Sequence, residues 1–227
     1  MLGAVRHGGF IPWDDDIDVG LSRVEYNKFI EIVQNNAMQV DEYGFIGCEL
    51  NNSYWPFIKM INRNIIVLEG ESDTEQYLWI DIFPFDYLPR CLINIYPEFI
   101  KRTIKNLLGF KIREELGTNT AIEKSLRGYK KIYWTVRKII FRRISTQSIA
   151  RKLITMCTLF SSDSDYVIDL VWGKKAIPQK LFADISEYQF ADISVKGIKD
   201  YDTYLSYIYG DYMKLPPIEQ RENHGVR

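Results

Sequence analysis

The stretch that decides the fold is Trp13–Gly20, which reads WDDDIDVG. It places four carboxylates within five residues, and an apolar residue separates the last two. Neighbouring side chains of an extended strand point to opposite faces, so Asp16 and Asp18 would share one face and Ile17 and Val19 the other. Two strand positions span about 6.6 Å, close enough for both acids to hold one divalent cation or a pair. Because clustered carboxylates repel one another unless a cation neutralises them, the pattern predicts a metal site.

Two other interpretations of the acidic run stay open. A solvated acidic turn is the simpler one, although the apolar flanks Phe10–Trp13 and Ile17–Val19 place the acids at the edge of a core. A calcium-binding EF-hand loop is the other, because acids stand at its first, third, fifth and twelfth positions: Asp14, Asp16, Asp18 and Glu25. That loop needs glycine at its sixth position, where this chain has Val19, and a preceding helix, which Gly8–Pro12 does not favour.

The segments after the acidic run carry helix and strand signals in turn. Ser22–Glu25 is a capping box, which predicts a helix from there to about Met38. Residues 45–68 show a strand-like pattern interrupted by asparagine-rich turns. A third strand is expected over Tyr77–Phe83, and Pro84 is expected to end it.

Asp81 is a lone acid within that apolar and aromatic strand. A buried carboxylate is costly unless it is paired or bound to metal. Asp81 could instead cap a turn or accept a hydrogen bond from a backbone amide. The functional interpretation has it facing the same cation as Asp16 and Asp18. Two acids at strand spacing, followed by a third acid on another strand, is the arrangement that phosphoryl and nucleotidyl transfer requires.

A cation and phosphate-binding groups would complete such a site. Magnesium binds a few carboxylates together with phosphate oxygens and water, so Mg²⁺ or Mn²⁺ is the expected cofactor. Arg6, His7 and Lys59 are candidates for contacts with substrate phosphates. Each of them indicates little alone, because an isolated basic residue usually belongs to the solvated surface.

The net charge of the chain is −1, but the charge is distributed unevenly. Residues 96–152 contain 15 Lys and Arg against 4 Asp and Glu, a local balance of +11. Residues 96–160 lack strand alternation and predict two or three helices, with a loop around Glu114–Thr120, as a basic helical insertion. The excess charge favours an anionic partner, such as substrate phosphates, a polyanionic glycan or a membrane face. A solvated helical surface is the alternative.

The rest of the composition is that of an ordinary globular chain. The 227 residues suit one domain over residues 1–227, with a strand at Asp165–Trp172 and a helix at Asp200–Tyr209 in its last part. The three cysteines are widely spaced and odd in number, so reduced thiols are expected. No signal peptide or membrane span is visible, which favours a cytoplasmic location. Met1–Arg6 already reads as the middle of a folded motif, so an N-terminal truncation is expected.

Three separated segments of the chain resemble the LicD family of bacterial phosphocholine transferases, which share the nucleotidyltransferase fold with the fukutin-type proteins. The segments are Leu2–Asp18, Ile80–Asp86 and Tyr209–Pro217, and they occur in the family's order. The resemblance implies an α+β fold, a nucleotidyltransferase-like mixed β-sheet flanked by helices, with the helical insertion described above. It makes the acid pair of the first segment the metal ligands and the acid of the second segment a third ligand: Asp16, Asp18 and Asp81, which would also be the catalytic residues. Gly3 would belong to the glycine turn that approaches the nucleotide phosphates.

The resemblance also implies an activity and its partners. The reaction would be metal-dependent transfer of phosphocholine, or a related phospho-substituent, from a CDP-choline-type donor to a cell-surface glycan. Teichoic acid, lipopolysaccharide and capsule are the candidate acceptors, and nucleic acid is not an expected partner. A lipid-linked acceptor would bring the enzyme to the inner face of the plasma membrane as a peripheral protein. Two alternatives stay open, a glycosyltransferase that uses a nucleotide-sugar and a non-catalytic glycan- or membrane-binding remnant.

Overall fold

A mixed β-sheet forms the centre of the protein. The computed structural model describes residues 1–35, 41–69, 74–115, 127–171, 173 and 175–221. Within these ranges the sheet has six strands: β1 (Asp18–Ser22), β2 (Tyr43–Ile46), β3 (Ile58–Glu69), β4 (Thr74–Leu88), β5 (Tyr166–Ile168) and β6 (Ile177–Pro178). They are hydrogen-bonded in the order β2-β3-β4-β5-β6, and β1 pairs with β4 in parallel. The protein is therefore α+β with a mixed sheet, as the sequence predicts.

Helices surround this sheet in the first and middle parts of the chain and again near its end. The described α-helices are α1 (Leu2–His7), α2 (Arg23–Gln34), α3 (Tyr96–Ile100), α4 (Asn106–Glu115), α5 (Tyr129–Phe141), α6 (Thr146–Cys157) and α7 (Tyr201–Tyr209). A π-helical turn over Lys101–Lys105 joins α3 to α4. The last strands, β7 (Ile185–Phe190) and β8 (Ile193–Ile198), form a separate antiparallel hairpin. In the described part of the chain, no helix is both long enough and apolar enough to cross a membrane.

β4 is longer than the sequence predicts. The expectation that Pro84 ends it was wrong, because the strand continues to Leu88. The pairing of β4 with β3 ends at Ile82, and the pairing with β5 begins at Asp86. Pro84 therefore lies in a gap between the two antiparallel ladders, where its missing N–H leaves neither of them without a donor. The extension places two acids of the second motif on a single continuous strand.

The limits of the neighbouring elements also differ from the prediction. β1 begins at Asp18, so Asp16 precedes the strand instead of lying within it. The hydroxyl of Ser22 accepts from the N–H of Glu25 at 3.3 Å, which confirms the N-cap of α2. The helix ends at Gln34, earlier than Met38, and residues 36–40 lie outside the described residues.

The region of residues 96–160 contains helices α3 to α6 in its described part, in agreement with the predicted helical character. Its core is a cluster of buried apolar side chains from β4 and the surrounding helices, including Leu88, Ile100, Leu108 and Leu153. The expected loop at Glu114–Thr120 was wrong for its first two residues, which belong to α4, and the remainder lies outside the described residues. All three cysteines are free thiols, as expected.

The last part of the chain agrees with the sequence at α7 and differs elsewhere. The carboxylate of Asp200 accepts from Thr203 N–H at 3.3 Å and caps α7, which then ends at Gly210. The strand expected over Asp165–Trp172 is shorter, since β5 covers Tyr166–Ile168. The β7–β8 hairpin was not predicted.

Candidate active site

The acids of the first and second motifs lie side by side in the sheet. In the parallel pairing of β1 with β4, Asp18 stands opposite Asp81, and Asp81 N–H donates to Ile17 O at 3.0 Å. Neighbouring strands are about 4.8 Å apart, so this register brings together two acids that the sequence separates widely. The parallel register of two strands therefore creates the acidic site.

The charges of these acids act on one another. Burial raises the pKa of Asp18 to about 6, and the negative charges of Asp16, Asp81, Asp14 and Asp169 add to the rise. Burial also raises the pKa of Asp81, Lys59 lowers it, and Asp16 raises it further. Asp18 nevertheless remains open to solvent at the start of β1. Asp16 thus lies within electrostatic range of both strand acids even though it precedes β1.

Lys59 is a buried cation next to Asp81. The two residues are register partners in the antiparallel pairing of β3 with β4, and Lys59 Nζ lies 2.8 Å from Asp81 Oδ1. The Trp55 and Trp79 rings lie 4.7 and 4.5 Å from Nζ, which adds cation–π stabilisation. Lys59 is therefore held in place, unlike an ordinary surface lysine.

Gly3 shapes the turn that follows α1. Gly9 N–H donates to Gly3 O at 3.2 Å, and a Cβ at Gly3 would lie 2.5 Å from Gly9 O. Gly8 has a φ of +64°, a conformation that glycine adopts easily. Its carbonyl accepts from Ala191 N–H at 2.6 Å, which ties the turn to the β7–β8 hairpin. The structure thus gives Gly3 a packing role, and its contact with nucleotide phosphates stays a prediction.

The side chains of Arg6, His7 and Arg221 all lie near the ring of Trp13, which directly precedes the acidic run. The Arg6 guanidinium lies 5.9 Å from the Trp13 ring, the Arg221 guanidinium 4.5 Å, and the His7 ring meets it edge-on at 5.9 Å. Arg6 Nη1 also donates to Tyr212 O at 2.8 Å, which joins the first motif to the third. Burial and the nearby Arg6 lower the pKa of His7, so His7 is neutral at pH 7.

Two residues of this region were missed by the sequence analysis. Tyr209 lies at the end of α7, and burial raises the pKa of its phenol. The negative charges of Asp14 and Asp18 raise this pKa further, and Arg6 lowers it. Arg221 reaches Trp13 from the far end of the described chain. Tyr209 is the first residue of the third segment that resembles the family, so the sequence could have indicated it as a candidate site residue. Arg221 has no local signal, because its contact depends on the return of the chain to the N-terminal turn.

The acids fit a magnesium-type site. Among the described residues, no three or more His, Cys, Asp or Glu side chains form a ready-made metal-ligand group. Mg²⁺, however, is usually held by only one or two carboxylates together with water and substrate phosphates. Asp18 and Asp81 supply two adjacent carboxylates, and Asp16 adds a third within electrostatic range. A divalent cation would relieve the repulsion that raises the pKa of Asp18.

A cavity lies away from these acids. It has a volume of about 700 Å³, and its lining includes Ser22, Phe85 and Tyr87. Ser22 is the last residue of β1, whereas Asp18 is the first. The acids therefore lie toward one end of the β1–β4 pair, and this cavity lies toward the other.

The fold and the site define an α+β protein whose paired strands present clustered acids beside a basic turn. Residues 1–105 match the family model described as LicD/FKTN/FKRP, nucleotidyltransferase domain. The chain is 26% identical over 238 residues to the lipopolysaccharide cholinephosphotransferase LicD of Haemophilus influenzae, a match that covers 100% of this chain and 84% of the relative. No solved structure matches the chain significantly. Both comparisons support the resemblance to the LicD family seen in the three motifs.

Proposed function

We propose that this protein is a LicD-type transferase that moves phosphocholine, or a closely related phospho-substituent, from a CDP-activated donor to a cell-surface glycan. The observation that carries the proposal is the parallel register of Asp18 with Asp81, which joins the acids of two separate family motifs. The Haemophilus relative is described as a lipopolysaccharide cholinephosphotransferase, which supports CDP-choline as donor and a lipopolysaccharide-type glycan as acceptor. Teichoic acid and capsule are the other acceptors to test. A nucleotidyltransferase-like fold is part of the same proposal.

Asp16, Asp18 and Asp81 would hold Mg²⁺ or Mn²⁺ together with the donor phosphates. When bound, such a cation neutralises the phosphate charge and lowers the pKa of a coordinated hydroxyl. The acceptor hydroxyl oxygen forms a bond to the choline-bearing phosphorus, and its proton passes to an acid of the cluster. The bond from that phosphorus to the bridging oxygen breaks, and CMP leaves with the electron pair. The carboxylates thus supply both the cation site and a place for the released proton.

The basic residues would position the donor. A guanidinium carries five donors, so the bond from Arg6 to Tyr212 orients Arg6 and leaves it able to bind phosphate. His7 and Arg221 share the Trp13 surface with Arg6 and would add contacts to the diphosphate. Lys59 neutralises Asp81 and would also contact the phosphate beside it. Lys59 would thus serve both the acids and the donor, whereas Arg6, His7 and Arg221 would contact the donor alone.

The decisive experiment measures transfer directly. The purified chain is incubated with CDP-choline and lipopolysaccharide lacking phosphocholine, with Mg²⁺, with Mn²⁺ or with EDTA. We expect CMP release together with phosphocholine on the glycan in the presence of either metal, and neither product with EDTA. Parallel reactions with teichoic acid and capsule identify the acceptor. Consumption of a nucleotide-sugar without choline transfer would instead support a glycosyltransferase, and binding of glycan without any turnover would support a non-catalytic remnant.

A further inference from the structure

Helix α5 presents an apolar face to solvent. Six large apolar or aromatic side chains of this helix are between 46% and 77% exposed: Tyr129, Ile132, Tyr133, Val136, Ile139 and Ile140. Their spacing of three or four residues places them on one side of the helix. The helix has no buried residue, and its 13 residues span about 20 Å. An exposed apolar stripe of this size marks an interaction surface.

The opposite side of α5 contacts the body of the protein. Trp134 packs edge-on against Phe110 at 5.0 Å, and the Arg137 guanidinium lies 4.6 Å from the same ring. Arg137 Nη2 also donates to Asn106 O at 2.9 Å. At about 100° per residue, Trp134 lies about 160° around the helix from Val136, and Arg137 lies about 100° from it, outside the apolar face. These contacts set the rotation of α5, and they direct its apolar face outward.

The charges around this face have one sign. Residues 127–143 contain seven Lys and Arg and no Asp or Glu, in a chain whose net charge is −1. At about 100° per residue, Lys130 and Arg142 lie about 120° around the helix from Val136, one on each side of the apolar face. A basic amphipathic helix with an exposed apolar face is the pattern that lies in the boundary between lipid headgroups and acyl chains. Anionic headgroups complement its charge.

We propose that α5 docks the protein on an anionic phospholipid bilayer, with its apolar face inserted in the interface and its basic residues on the headgroups. A polyanionic glycan would neutralise the basic residues but would leave the apolar face in water. A symmetric dimer through α5 would cover the apolar face but would bring two strongly basic segments together. A bilayer with anionic lipid satisfies both features. This docking goes beyond the proposed transfer reaction and requires neither donor nor metal.

The test is vesicle sedimentation of the full chain at low and near-physiological salt. The vesicles are phosphatidylcholine with or without phosphatidylglycerol. We expect binding only to vesicles that contain phosphatidylglycerol, with weaker binding as salt rises. The triple variant Ile132→Gln, Val136→Gln and Ile139→Gln should bind at least about ten-fold more weakly. Reversing Lys130, Lys131, Arg142 and Arg143 to Glu should weaken binding by more than about 100-fold.

A matched control replaces three other exposed isoleucines. Ile66, Ile185 and Ile193 are 51–62% exposed and lie outside α5, so their change to Gln should leave vesicle binding unaltered. Urea unfolding of each variant establishes that it folds. Wild-type levels of vesicle binding in the folded α5 triple variant would overturn the proposal. Loss of binding in the control variant to the same extent would also overturn it.

A fluorescent label tests insertion separately from attraction. In a Cys91→Ser background, where the remaining thiols are buried, an environment-sensitive dye is attached at Val136→Cys or at Ile193→Cys. We expect a blue shift on anionic vesicles at position 136 and none at position 193. Bound protein without a shift at position 136 would refute insertion. A wild-type dimer that becomes monomeric in the α5 triple variant, without vesicle binding by either, would show that a second copy covers this face.

Discussion

Asp81 and Asp86 lie on the same strand, β4, and each has a cationic partner from another element, yet the two pairs are built differently. Asp86 accepts hydrogen bonds from Arg23 Nε at 2.7 Å and Arg23 Nη2 at 3.1 Å, and its side chain is 1% exposed. Asp81 meets Lys59 Nζ through one oxygen at 2.8 Å, and its side chain is 14% exposed. The first pair uses both carboxylate oxygens in a planar fork, and the second leaves one oxygen outside the ion pair.

The comparison distinguishes an acid that joins two structural elements from one that we propose to bind a cation. Burial raises the pKa of Asp86 to about 6, and the bonds from Arg23 oppose that rise, so this pair is charged at neutral pH and joins α2 to β4. Asp81 is also buried and paired, but its other close neighbours include Asp16 and the register partner Asp18. An acid crowded by other acids retains an attraction for a divalent cation, whereas a fully paired acid does not.

The largest effect is expected at the two acids of the first motif that we propose as cation ligands. Asp16→Asn or Asp18→Asn should lower phosphocholine transfer at least about 1,000-fold, roughly 4 kcal/mol in the activation free energy, because each removes a cation ligand. The free energy of unfolding should change by less than about 1 kcal/mol. Initial rates of CMP release and urea unfolding measure the two quantities. Glu25→Gln is the control, since Glu25 is an exposed acid that pairs with Lys28. Near wild-type turnover in either Asp variant would remove that residue from the site.

A large loss of stability is expected from breaking the buried Arg23–Asp86 pair. Arg23→Met should lower the free energy of unfolding by about 3–5 kcal/mol, because it leaves Asp86 buried without its cation. Urea unfolding followed by circular dichroism measures this change. Lys28→Met, which breaks the exposed pair with Glu25, should lower the free energy of unfolding only slightly. A loss of the same small size for Arg23→Met would mean that the Asp86 pair is not structural.

A smaller and pH-dependent loss of stability is expected from breaking the Lys59–Asp81 pair. Lys59→Met should lower the free energy of unfolding by about 2–3 kcal/mol at pH 8, because Asp81 loses its ion pair. Without Lys59 the pKa of Asp81 rises further, so the cost is present above that pKa and disappears as Asp81 is protonated at low pH. Unfolding at pH 8 and pH 5 tests this sign. The double variant with Asp81→Asn should recover part of the loss, and equal losses at both pH values would contradict the assignment.

The smallest effect concerns the raised pKa of Asp18. Its folded pKa of about 6 exceeds the ordinary value, so ionised Asp18 destabilises the apo protein above pH 6, and the penalty vanishes below about pH 4. Because Asp18 is open to solvent, Asp18→Asn should stabilise the metal-free protein by no more than about 1 kcal/mol at pH 8. Thermal melts at pH 8 and pH 4 measure this gain. Added Mg²⁺ should raise the Tm of the wild type and leave that of the variant nearly unchanged. Identical Mg²⁺ responses would place the cation elsewhere.

The features that the sequence predicts well are the ones with local causes. The N-cap at Ser22, the helix Tyr201–Tyr209 and the helices described within residues 96–160 all follow from patterns within a few residues. The β7–β8 hairpin was missed because its turn lacks the usual glycine or asparagine. Ala191 adopts the positive φ there, at 51°. Strand continuation through Pro84 was missed because it depends on where the neighbouring ladders end.

By itself, the sequence determined the residues of the candidate site, namely the acids Asp16, Asp18 and Asp81, and a basic helical segment. Local preferences act between residues that are close in the chain, so they are readable from one sequence. Only the tertiary structure decided which residues meet. The parallel register of Asp18 with Asp81, the burial of Lys59 against it and the outward direction of the α5 apolar face all depend on packing between distant segments. Such packing is selected by the energy of the whole fold, which no local pattern contains.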